Sequence, residues 1–183
     1  MKRIINLPRE EVKLFKSLDS NLTYGELTKS GAIQLIGNIN NKNVKSFCDL
    51  GSGIGVVCKY MCEYLPTLEI IHGIELSEER YNESLNLIKS IKNRERRNKI
   101  KLFNGDLMKI DVSDYDIIYI SNLCFNHTFN INLSNKLNNE VKNNSVVFAS
   151  QDLAFKRTVI KSTFPINQSW GNHTQIYKYE IIE

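Results

Sequence analysis

The chain has only 3 prolines and 9 glycines among its 183 residues, so collagen-like and low-complexity readings fail at once. Its longest apolar stretches, around 117–120 and 146–149, stop far short of the roughly 18 residues a membrane-spanning helix requires, and no signal-peptide pattern opens it. A soluble, unexported protein is therefore expected, in nucleus or cytoplasm, with no membrane partner. Cysteine is sparse too: Cys48, Cys58, Cys62 and Cys124 form no CxxC pair and have no histidine at zinc spacing. That pattern points to buried thiols in a reducing compartment and to no metal. Strong charge of either sign is also missing. The 24 Lys+Arg against 20 Asp+Glu leave a net +4, compatible with an acidic partner such as nucleic acid or a nucleosome without demanding one.

What is present suffices for one folded domain, since 42% hydrophobic and 24% charged residues are ordinary for a globular chain of this length. Asn, Ile and Lys are abundant, which reads as the bias of an AT-rich genome, such as that of a large DNA virus or a protist parasite. A viral protein would place it in a viral factory or virion. Helical periodicity over 9–18 sets Leu14, Phe15 and Leu18 on one face; a turn at Leu22, Tyr24 and Gly25 follows, and the pattern resumes over 26–39. From residue 44 onward apolar strands alternate with helices. Strands are expected at 46–50, 69–75, 100–105, 116–121 and 145–150, with helices at 56–64, 78–92 and 129–141. Two last strands are expected at 157–162 and 175–182. The fold class is therefore α/β, a Rossmann-like, mostly parallel, doubly wound sheet with helices on both faces. Residues 1–40 form a short helical cap carrying a cofactor loop, and 41–183 the core.

The strongest local signal is Phe47-Cys48-Asp49-Leu50-Gly51-Ser52-Gly53-Ile54-Gly55, a strand ending in Asp that runs into a glycine turn and a helix. A dinucleotide fingerprint needs Gly where Val56 stands, and a P-loop needs a terminal G-K-[ST] that is missing. D-L-G-S-G-x-G instead resembles motif I of class I S-adenosyl-L-methionine-dependent methyltransferases, where Asp49, Gly51, Ser52, Gly53 and Gly55 bring the backbone close to the cofactor. Glu75, 24 residues after Gly51 at the end of the second strand, suits the ribose hydroxyls. Asp106 and Leu107 after the third strand suit the adenine amine and ring in such enzymes. The base-amine motif Asn/Asp-Pro-Pro-aromatic is absent after the fourth strand, which argues against N6-adenine chemistry.

Three further patterns resemble the disruptor-of-telomeric-silencing (Dot) family, non-SET lysine methyltransferases that act on the globular core of histone H3 in nucleosomes. Thr23-Tyr24-Gly25-Glu26 is similar to the family's Tyr-Gly-Glu loop over the methionine end of the cofactor. Asn122-Leu123-Cys124-Phe125 resembles Asn-Phe-Ala-Phe, whose Asn lies beside the methyl-transfer site. Ser169-Trp170-Gly171, with Tyr177 seven residues after Trp170, matches the Ser-Trp and later aromatic of the lysine channel. The resemblance spans roughly residues 20–183 and departs from the family at Asn172-His173-Thr174, where a Lys/Pro-containing segment is expected. It implies a methyl transfer to a neutral lysine amine, with Asn122 and Tyr177 positioning the amine, Phe125 and Trp170 walling the channel, and Tyr24, Glu26 and Asp49 at the cofactor's amino-acid end. The substrate implied is a protein, histone or nucleosome. Two other readings stay open: a lysine methyltransferase of non-histone proteins, suggested by the segment from Gly105 to Asp111, and a non-catalytic cofactor-binding or chromatin-interaction module. The basic residues Arg94, Arg96, Arg97 and Lys99 also keep two readings, a nucleic-acid contact or solvated cations at a helix end.

Overall fold

Strands that read as continuous apolar runs are strands buried on both faces. The computed structural model, which describes residues 8–17, 25–40 and 43–183, shows this for β1 (Ser46–Leu50), β4 (Ile117–Ile120) and β5 (Val146–Ala149), buried along their whole lengths. With β2 (Ile70–Glu75), β3 (Ile100–Asn104), β6 (Val159–Gln168) and β7 (Gly171–Ile181) they form a seven-stranded sheet in the order β3-β2-β1-β4-β5-β7-β6. β1 to β5 run parallel, and β7 pairs antiparallel with both β5 and β6. Helices α2 (Lys29–Gly37), α3 (Val56–Tyr64) and α4 (Glu78–Lys89) cover one face, meeting Phe47, Ile71, Tyr119 and Phe148. Helix α6 (His127–Glu140) covers the other through Leu133 and Leu137, against Ile118, Val147 and Tyr179. The expected Rossmann-like class is the observed one. The chain reverses its winding between β1 and β4, and an α/β sheet opens a crevice at the carboxyl ends of two such strands.

Helix α1 (Arg9–Ser17) is held through Glu11, which accepts hydrogen bonds from the Ser77 hydroxyl (2.5 Å) and the Glu79 N–H (3.0 Å) at the start of α4. Leu18, Leu22 and Tyr24, and the side chains of Leu14 and Phe15, lie outside the described residues.

Four departures from the sequence reading have local causes. The helix expected from residue 26 starts at Lys29, because Thr28 takes an extended conformation and its hydroxyl accepts the Gly31 N–H at 3.1 Å as an N-cap. Residues 25–27 are freed to pair elsewhere. The helix expected over 78–92 ends at Lys89, and the basic run forms its own short turn, α5 (Arg94–Arg97), capped by Asn93. Those cations are not simply solvated at the end of α4. Arg97 Nη1 donates to the carbonyls of Lys89 and Ile91 and Arg96 Nη1 to that of Glu63, at the ends of α4 and α3, while Lys99 Nζ donates to the Leu68 carbonyl in the loop before β2. The run precedes β3 and so sits at the amino edge of the sheet, opposite the crevice. The last two strands are longer than expected: β6 continues through Pro165, which an edge strand tolerates, and β7 begins at Gly171.

Candidate functional site

The turn between β1 and α3 needs glycine at three points, since Gly51, Gly53 and Gly55 have φ of 93°, 54° and 80°. The turn is tied to β2: the N–H groups of Gly51 and Ser52 both donate to the Ile74 carbonyl at 2.9 Å, and that of Gly53 donates to Glu75 Oε2 at 2.8 Å. The Ser77 N–H takes the other Glu75 oxygen at 2.9 Å. The carboxylate of Glu75, expected as a ribose acceptor, braces the glycine turn and the start of α4. Burial pushes its pKa up, while the two N–H donors and the nearby Arg80 oppose that shift. The buried Arg80, on α4, is a site residue that sequence reading missed, since nothing in its local pattern marks it as inward-facing.

Asp49, next to last in β1, faces α3 and is paired across the sheet with Gly73 and Tyr119. It is 1% exposed, and its Oδ1 has no hydrogen-bond partner among the described residues. Burial, reinforced by the charge of Glu75, holds its pKa well above the usual carboxylate range. A Cβ on Gly73 would lie 2.8–2.9 Å from Leu102, Cys58 and Ser52, so glycine is what lets the turn close down beside Asp49. Asp49, Gly51 and Ser52 border a cleft of about 280 Å³, with Val56 and Val57 of α3 on one side, Tyr119 and Ser121 of β4 on another, and residues 25–27 across the top. Tyr119 and Ser121 were not legible in sequence, because their facing Asp49 depends on the β1–β4 register.

Residues 25–27 reach the cleft because the β6–β7 hairpin holds them. β7 pairs with β5 only through Tyr177 to Glu180, so residues 171–176 run on past Ala149, an overhang of about 20 Å beyond the carboxyl edge. At its tip the Glu26 N–H donates to Ser169 Oγ (2.9 Å) and the Ser169 N–H to the Glu26 carbonyl (2.8 Å). Leu27 bridges Gln168, and the Thr28 hydroxyl donates to the Asn167 carbonyl at 2.9 Å. The Trp170 ring lies on Gly25, where an added Cβ would come within 2.0 Å of Cζ3. Trp170, expected as a channel wall, packs on Gly25 and clamps the strap across the cleft. Tyr24 lies outside the described residues.

On the opposite side of the glycine turn, the Phe125 ring points at Gly51, 3.9 Å from where a Cβ would stand, and packs against Phe129 with centroids 4.7 Å apart. Phe125 and Tyr177 pack on the same core cluster, on the face covered by α6. Asn122 is fully buried. Its Nδ2 donates to Asn130 Oδ1 (2.8 Å), and its Oδ1 accepts the Gln151 N–H (2.8 Å). It therefore ties together the ends of β4 and β5 and the start of α6, beside Phe125. Asp106 caps the short turn Leu107–Lys109 by accepting the Met108 N–H at 2.9 Å. Leu107, expected to cover an adenine ring, is buried in the α6-side core beside Val112 and Ile118.

Solved structures share this fold. A methyltransferase domain of bacterial CtHen1 is 15% identical over 85% of this chain and all of its own, with a TM-score of 0.67. An RNA methyltransferase from Salinibacter ruber, solved with S-adenosyl-L-homocysteine, is 16% identical over 98% of this chain and 95% of its own, with a TM-score of 0.54. YcgJ from Bacillus subtilis is 11% identical with a TM-score of 0.54 over 65% of this chain, which spans only 49% of it. No curated protein matches by sequence. The family model described as "Histone methylation protein DOT1" matches residues 2–182. The chain therefore belongs to the DOT1 histone methylation protein family, on the fold of S-adenosyl-L-methionine-dependent methyltransferases.

Proposed function

We propose that the chain is an S-adenosyl-L-methionine-dependent protein-lysine N-methyltransferase acting on histone H3 in the nucleosome. The observation that carries this reading is the pairing of two differently built walls around one glycine turn. On one side is a cleft of mixed lining closed by the Gly25–Trp170 clamp; on the other is an aromatic surface of Phe125, Phe129 and Tyr177 beside Asn122. The cofactor suits the donor set. Asp49 offers a buried carboxyl oxygen to an ammonium, the glycine turn admits close backbone approach, and Glu75 and Asp106 keep acceptor capacity for ribose and adenine. When bound, S-adenosyl-L-methionine supplies a methyl group on a sulfonium centre, activated for displacement.

The chain's own residues then have two tasks. Glu26, pinned by Ser169, and Asp49 fix the amino-acid end, while Glu75 keeps the turn in its left-handed shape. Phe125 and Tyr177 exclude water from an arriving lysine. Free lysine has a pKa of about 10.4, and an apolar channel lowers it by disfavouring the ammonium, so the attacking amine is neutral. Asn122 holds the loops after β4 and β5 at their spacing.

Incubation with methyl-labelled S-adenosyl-L-methionine and nucleosomes, free histones or a cell lysate tests the reading. Label on nucleosomal H3 is the expected result. Label on another protein's lysine redirects the activity to a non-histone substrate, and no label with intact cofactor binding leaves a non-catalytic module.

A further inference from the structure

The β6–β7 hairpin carries a polar-aromatic arrangement that the cofactor cleft does not use. On the face covered by α6, Lys161 pairs directly with Tyr179 and Thr163 with Tyr177. The two tyrosine rings are stacked, with centroids 6.5 Å apart and an interplanar angle of 17°. Lys161 Nζ stands 5.2 Å from the Tyr177 centroid and 5.9 Å from that of Tyr179, and donates to Asp152 Oδ2 at 2.7 Å. Asp152 is itself oriented: the Tyr179 hydroxyl donates to Asp152 Oδ1 at 2.5 Å, and the Leu153 N–H donates to the Tyr179 oxygen at 2.7 Å. Two π faces and an oriented carboxylate are what a primary alkylammonium needs for recognition.

The place of this arrangement matters as much as its chemistry. Tyr177 stands opposite Ala149 at the carboxyl end of β5. Asp152 follows Gln151, whose N–H holds Asn122 and whose Nε2 donates to the Leu123 carbonyl at 3.1 Å. The seat thus borders the loops beside the glycine turn. Its occupant is loosely kept: the side chains of Lys161 and Asp152 are 44% and 53% exposed, and exposed ion pairs are weak and screened by salt. The seat itself is not loose, because Tyr179 is buried and its hydroxyl is fixed from both sides.

We propose that Tyr177, Tyr179 and Asp152 form a recognition seat for a basic side chain of the protein substrate, and that Lys161 fills it in the free protein as an internal competitor. The identity of the ligand as a lysine-bearing protein rests on the methyltransferase reading; the preference for an alkylammonium rests on the seat alone. An internal occupant lowers apparent affinity by the fraction of time it fills the seat, so removing it tightens binding without adding a contact.

The full chain is titrated with Nα-acetyl-lysine methylamide at low salt, following the Tyr177 and Tyr179 ring resonances by NMR, with the uncharged norleucine analogue as control. Lys161→Ala, and separately Lys161→Gln, is expected to bind the lysine probe at least about threefold more tightly than the native chain. Lys161→Ala combined with Asp152→Asn is expected to lose about tenfold relative to Lys161→Ala alone. The norleucine probe is expected to leave the rings unshifted. Equal affinity in the native chain and both Lys161 variants overturns the proposal, as does a double variant that binds as well as Lys161→Ala, or a norleucine probe that binds like lysine. Methyl-transfer assays on the same variants separate the two claims. Probe binding without transfer to any lysine sinks the enzymatic reading and keeps the seat, while transfer without probe binding does the reverse.

Discussion

The two sides of the site are held together over very different distances along the chain. The floor of the cleft is joined by bonds such as Gly53 to Glu75, 22 residues apart, and by the Ile74 carbonyl that accepts from Gly51 and Ser52. The roof is joined by Glu26 to Ser169, 143 residues apart, and by Thr28 to Asn167, 139 apart. The floor is one β-α-β unit whose turn is already shaped by its glycines. The roof exists only after the hairpin has found the strap, so its closure costs loop entropy that the floor does not pay. The difference teaches where failure should be graded: floor substitutions abolish the site, and roof substitutions loosen it.

The largest effect expected is at the floor. Gly53→Arg puts a side chain on a backbone with φ of 54°, and Glu75→Ala removes the acceptor for two buried N–H groups. Each should weaken S-adenosyl-L-methionine binding by at least about 100-fold in calorimetry. Glu75→Ala should also cost about 2 kcal/mol in denaturant unfolding. Native-like affinity in Gly53→Arg would refute the assignment of the cleft.

The roof should respond less. Gly25→Val must displace the Trp170 ring, which lies within 2.0 Å of the new Cβ position. We expect a loss of roughly 10- to 50-fold in cofactor affinity with a small change in Tm. Trp170 is the only tryptophan, so its fluorescence reports the roof directly, and the native spectrum should shift on cofactor addition while that of Gly25→Val should not. A roof variant as damaging as Gly53→Arg would erase the distinction drawn here.

Asn122→Ala should separate turnover from binding. Its bonds to Asn130 and Gln151 space the substrate-side loops, so kcat should fall about 10-fold or more while cofactor affinity stays within a few-fold. Equal losses in both would place Asn122 on the cofactor side.

The last effect expected is a pH dependence at Asp49. Burial raises its pKa, so below the raised value an ammonium must displace a proton to pair with it, and cofactor affinity should rise with pH and then level off. The stability this proton contributes is fully present below the ordinary carboxylate pKa of about 3.9 and is lost as pH rises through the folded value. Asp49→Asn should therefore flatten the affinity profile and stabilise the free protein near neutral pH by about 1 kcal/mol. Denaturant unfolding and proton-release calorimetry in two buffers check both signs.

Much of this architecture was readable in advance, and unevenly so. Motif I, Glu75 and the strand alternation were legible because glycine at positive φ and continuous apolar runs are local necessities. Arg80, Tyr119 and the Gly25–Trp170 clamp were not, since each depends on which residues the register and the hairpin bring face to face. The sequence reading ended β6 early because its second half holds Pro165 and the polar Asn167 and Gln168, and pairing with β7 is what makes it a strand and buries Ile166 and Gln168.

The sequence by itself determined the sheet, the glycine turn and the family, because these follow from backbone conformations and burial periods written into neighbouring residues. The tertiary structure alone decided that Trp170 clamps the strap, that Asn122 turns inward to Asn130 and Gln151, and that Arg96 and Arg97 donate to helix-end carbonyls at the far edge. These are contacts between segments distant in the chain, and their partners are fixed by packing and unmet hydrogen bonds that no local pattern encodes.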